Sequence, residues 1–79
     1  MKLIDAIKVQ AQCEQKNELI NLSSEKKKRL AKLVEERVPS GLATLEEWNE
    51  VILCFENTKL ETDSRKAKRK LLSILRADD

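Results

Sequence analysis

Arg65, Lys66, Lys68, Arg69 and Lys70 place five cations within six positions, interrupted only by Ala67. Side chains of this type make no covalent chemistry by themselves; what they offer is electrostatic, the pairing of guanidinium and ammonium groups with carboxylates or phosphates. Arg65/Arg69 and Lys66/Lys70 stand four apart, so on a helix like charges meet along one side and repel by about 0.2–0.5 kcal/mol per pair. An acidic group facing that side removes the cost. A shorter run, Lys26-Lys27-Lys28-Arg29, crowds positive charge into the first turns of a predicted helix. That is the wrong sign for the helix dipole, and Glu25 offsets only part of it. Its plain reading is a solvated face; the functional one is a patch neutralised by an anionic partner. These nine residues are the candidate partner-binding or phosphate-binding set.

Two sources of negative charge fit the longer run. One is protein: residues 44–57 sum to −4 through Glu46, Glu47, Glu50 and Glu56, between segments 25–43 and 58–79 that each sum to +3, while residues 1–24 sum to zero. A neighbouring helix, or the same helix of a second copy, could meet the cations there. Surface pairs of this kind choose partners and register more than they stabilise. The other source is a nucleic-acid backbone, met without sequence preference. Against it stand a net charge of only +2, the absence of tyrosine, two aromatic residues that both read as buried, and no helix-turn-helix pattern around Pro39-Ser40-Gly41. The expectation is a small non-catalytic protein-binding or regulatory module that docks a charged helical surface on an acidic protein partner or on itself as a homodimer. The alternative is an accessory nucleic-acid-binding protein that uses the basic fourth helix for phosphate contacts.

Catalysis ranks last. The chain has no histidine, no glycine-rich phosphate loop and no Gly-x-Ser-x-Gly turn. The carboxylate pairs Glu35/Glu36 and Glu46/Glu47 are adjacent on solvated helix faces, whereas an acid and a base must converge across a cleft. No catalytic residue and no cofactor is expected. Cys13 and Cys54 stand far apart with no further cysteine to complete a metal-ligand spacing, so no metal site is expected either. Both read as free, buried thiols behaving as small hydrophobes, with a disulfide between the first and third helices as the alternative. Asp5 interrupts the opening Met1-Lys2-Leu3-Ile4, and no uncharged run approaches the length of a membrane span, which points to a cytoplasmic protein without a membrane partner.

The elements that must position these charges are helices. A chain of 79 residues suffices for one domain with one small core, a size that gains much from a second subunit. The one glycine and the one proline flank Ser40, the only strong loop signal. The first helix is predicted over 2–21, with Leu3, Ile4, Ile7 and Ala11 on one stripe and Ala6, Val9, Cys13 and Ile20 on the next. Its polar middle, Gln10 to Asn17, suggests a break or a change of packing partner near Asn17. The second is predicted over 25–38, capped by Ser23 or Ser24 and stopped before Pro39. The third, over 45–57, opens on a Thr44/Glu47 capping box and carries Leu45, Trp48, Val51, Ile52 and Phe55 at helical spacing, widened by Leu53 and Cys54. Trp48 there reads as a core anchor rather than a stacking platform. The fourth is predicted over 59–76, opened by a Thr58/Glu61 box or, for a later start, by Thr62 or Asp63, with Leu60, Ser64, Ala67, Leu71 and Ile74 or Leu75 inward. The expected architecture is all-α: a single domain, 1–79, forming a three- to four-helix bundle with antiparallel neighbours. Its expected core is Leu30, Leu33, Val34, Leu45, Trp48, Ile52, Phe55, Leu71 and Leu75.

Overall fold

The computed structural model describes residues 2–56 and 59–77, without the side chains of residues 16, 17 and 20. Four α-helices form a small all-α bundle: α1 (Leu3–Ala11), α2 (Ser24–Arg37), α3 (Leu45–Phe55) and α4 (Ser64–Arg76), with a 3-10 helix over Lys16–Asn21 between the first two. No strand occurs among the described residues. The helices close a ring in the order α1, α2, α4, α3; α4 packs on both α2 and α3, whereas α1 and α4 lie across the ring from one another, as do α2 and α3.

One continuous core fills the ring. Trp48, Val51 and Ile52 of α3, Val34 of α2, and Ala67 and Leu71 of α4 are essentially inaccessible to solvent. Leu3, Ile4, Ile7 and Ala11 of α1, with Leu19 of the 3-10 helix, enter the same core, so the N-terminal residues pack within this chain. Leu33 and Leu45, expected inside, are only half-buried, while Ala31 and Val51 take fully buried places. The indole N–H of Trp48 donates to the Ser40 carbonyl at 2.9 Å. The loop after Pro39 thereby satisfies the polar edge of the largest core side chain.

Three helix starts follow local chemistry. The Ser23 hydroxyl accepts from the Lys26 amide at 3.3 Å and caps α2. At α3 the capping box is complete: the Thr44 hydroxyl accepts from the Glu47 amide at 3.2 Å, and the Glu47 carboxylate from the Thr44 amide at 2.9 Å. Asp63 caps α4 through the Arg65 amide at 2.7 Å and the Lys66 amide at 3.4 Å.

Two expectations about helix length are corrected. The helix predicted over 2–21 stops at Ala11, because Gln12 adopts a left-handed conformation (φ 59°, ψ 36°). Its amide bonds the Val9 carbonyl at 3.1 Å and the Cys13 amide bonds the Lys8 carbonyl at 2.9 Å, a Schellman closure. That position usually holds glycine, so Gln12 gave no warning. The fourth helix begins at Ser64 rather than at residue 59, and Leu60, expected on its apolar stripe, is 48% exposed. Asn49 of α3 explains the late start. Its amide nitrogen donates to the Glu61 carbonyl at 3.0 Å and its amide oxygen accepts from the Glu61 N–H at 3.1 Å. With both backbone groups of Glu61 spoken for by a side chain, a helical turn there would lose two hydrogen bonds. Thr58, the other half of the expected box, lies outside the described residues.

Candidate docking surface on the fourth helix

Within α4 the turn of about 100° per residue separates the basic residues into distinct rows. Ala67, Leu71 and Leu75 face the core. Arg65, Lys66 and Arg69 are exposed, Lys68 and Lys70 half-buried. Lys66 and Lys70, four apart, share the edge nearer the loop that precedes the helix. There Lys70 Nζ donates to the Lys59 carbonyl at 2.8 Å and stands 3.8 Å from the Glu61 carboxylate. Arg65 and Arg69 share the other edge with Arg76, whose guanidinium pairs with Glu35 of α2. The C-terminal turns of α2 and α4 therefore meet.

Lys70 is thus occupied in holding the α3–α4 loop. Arg65, Lys66, Lys68 and Arg69 make no side-chain hydrogen bond or ion pair among the described residues. The acidic α3 does not fold its charges over them: Glu46 and Glu56 are exposed, and Glu47 is engaged in its own capping box. Among the described residues, no ion pair offsets the repulsion between Arg65 and Arg69.

The second run is spread around α2. Arg29 pairs with Glu25 at 2.6 Å, one turn earlier. Lys26 and Arg29 line a groove of about 250 Å³ against Gln10, Ala11 and Gln12 of α1. Lys27 is half-buried; Lys28 is exposed and has an interaction partner of its own. Lys26 and Glu35 are nine residues apart, about half a turn out of phase, so Lys26 looks away from the side of α2 that meets α4. Of the nine candidate cations, Arg65, Lys66 and Arg69 stand together as an exposed group on one helix.

Two residues of this surface escaped the sequence reading. Asn49 is 9% exposed and ties the loop to α3 through both amide atoms. A signal existed: Asn49 lies four residues after Leu45 and three before Ile52, on the apolar arc, where a polar group needs a partner. Leu53, read as widening the buried arc, is 46% exposed. It stands four residues after Asn49 on the same edge of α3.

No disulfide joins Cys13 and Cys54, and both are half-buried rather than buried as expected. Among the described residues no cluster of acidic and cysteine side chains could hold a metal ion. No helix among them is long and apolar enough to cross a membrane. No protein-family model matches the sequence, and neither a curated protein nor a solved structure matches the chain.

Proposed function

We propose that this chain is a small non-catalytic docking module that presents the exposed cations of α4, Arg65, Lys66 and Arg69, to an acidic protein surface. The observation that carries the reading is that, among the described residues, no carboxylate pairs with the side chains of Arg65, Lys66 or Arg69, although the adjacent α3 is acidic. Charge held in that state stabilises the chain only when something outside it arrives. A partner that brings carboxylates relieves the repulsion along the helix and gains charge-assisted hydrogen bonds from two guanidinium groups. The half-buried Lys70 contributes by fixing the loop beside the face. We assign the chain no catalytic residue, metal or cofactor.

The reading is tested by titrating the protein with a fluorescent glutamate-rich helical peptide and following anisotropy. Binding should weaken as salt rises and disappear when Arg65, Lys66 and Arg69 are all changed to Glu. Binding that survives this reversal overturns the reading.

A second reading takes the same unpaired cations as phosphate contacts on nucleic acid. It predicts retention on duplex DNA at low salt and a steep loss at moderate salt, as counterions are released. The distribution of the α2 run around its helix, with Lys26 and Arg29 turned toward α1, makes a continuous phosphate track the weaker of the two proposals.

A further inference from the structure

We infer that the acidic surface received by α4 is the α3 face of a second copy of this chain, in a two-fold dimer. This rests on the reading of α4 as a docking face and names its partner. A two-fold interface uses one patch twice, so the patch must be complementary to itself: whatever residue i meets, that residue meets i in return. A chain qualifies when opposite charges occupy adjacent parts of a single side.

The α3–α4 side has that layout. Glu46 and Leu53 are seven residues apart on one edge of α3, and Glu56 is the residue that closes the helix. Glu46 and Glu56 are exposed and Leu53 is 46% exposed. Next to them, Asn49 holds Glu61 and so sets Leu60, its exposed neighbour, beside this edge. On the far side of that loop Lys70 bonds Lys59 and Lys66 projects from the same edge of α4, with Arg69 in the next row outward, toward α2. Passing across the surface, one meets glutamates with an exposed leucine, then a second exposed leucine, then cations. Rotation about an axis through the loop lays the glutamates of one copy on the cations of the other, twice over. Leu53 and Leu60 fall at the centre, where removing apolar surface from water supplies what exposed ion pairs do not. The charges set the orientation, since a parallel overlay of α4 on α4 would bring like charges together.

The test uses two charge-reversed proteins. In the first, Lys66→Glu and Arg69→Glu make both faces acidic; in the second, Glu46→Lys and Glu56→Lys make both basic. Sedimentation equilibrium of the wild type should show a monomer–dimer equilibrium that weakens with salt. Each variant alone should dissociate, its dimer constant weakened by about a hundredfold. Mixed together at low salt, the two should form a one-to-one heterodimer, because both pairings are then attractive again. Circular dichroism of each variant checks that the helices persist, and recovery on mixing excludes misfolding as the cause of dissociation. Leu53→Ser should weaken the wild-type dimer by about tenfold while leaving its salt dependence in place.

A wild type that stays monomeric at millimolar concentration overturns the dimer. So does a mixture of the two variants that remains monomeric. If a monomeric wild type still binds the glutamate-rich peptide through Lys66 and Arg69, only the identity of the partner falls. If it binds neither, the docking reading falls with it.

Discussion

Residues 3–22 and residues 44–76 reach one core by different means. The later region is built from local instructions: a complete capping box at Thr44, an aspartate cap at Asp63, and between them an asparagine side chain that fixes the backbone of Glu61. In the earlier region Lys2 provides no side-chain cap for α1, the helix ends on a glutamine in a left-handed conformation, and the chain continues as a 3-10 helix. Its order comes from what it touches: α1 packs on α2 and α3, and Leu19 is fully buried. Weak local signals are sufficient where tertiary burial supplies the remainder.

Substitutions in the two regions should therefore fail differently. The largest effect is expected at Leu19→Ala, which removes a fully buried side chain and should lower stability by about 2–4 kcal/mol, read from the urea midpoint. A small loss would mean that the 3-10 helix is an appendage and not part of the shared core. Asn49→Ala comes next, at about 1–3 kcal/mol, because the backbone donor and acceptor of Glu61 both lose their partner. Amide exchange at Glu61 should quicken in this variant more than exchange at the centre of α3, and uniform quickening would argue against a local clamp. Asp63→Ala should cost about 1 kcal/mol through loss of the α4 cap, with fraying at Arg65 and Lys66 visible in their amide exchange. The smallest effect has the opposite sign. Gln12→Gly should stabilise by about 0.5–1 kcal/mol, relief of the left-handed strain less the added freedom of the unfolded chain. A loss on that substitution would show that the glutamine side chain contributes more than its backbone strain removes.

The same contrast explains what the sequence made legible. The α2 and α3 starts, at Ser23 and Thr44, came directly from hydroxyl side chains in front of amphipathic runs, and the burial of Trp48 followed from its place on the stripe. The end of α1 was not legible, since a left-handed closure without glycine has no local signature. The start of α4 at Ser64 was legible only as the later of two, capped by Asp63; what favours it over the earlier one is the contact of Asn49 with Glu61, twelve residues apart, which no local pattern encodes. The basic residues of α4 were visible as a cluster, but their division was not. That Lys70 would be spent on a loop, while Arg65, Lys66 and Arg69 stayed exposed, depended on where the chain before the helix would lie.

The most direct test of the proposed docking role is light scattering on the eluting protein at low salt, alone and with a short duplex DNA. A mass above the monomer that rises with concentration, ignores DNA, and falls to the monomer value in the Arg65→Glu, Lys66→Glu, Arg69→Glu protein is the predicted result. A monomer whose mass increases only when DNA is added would contradict it, and would assign the α4 face to phosphates instead.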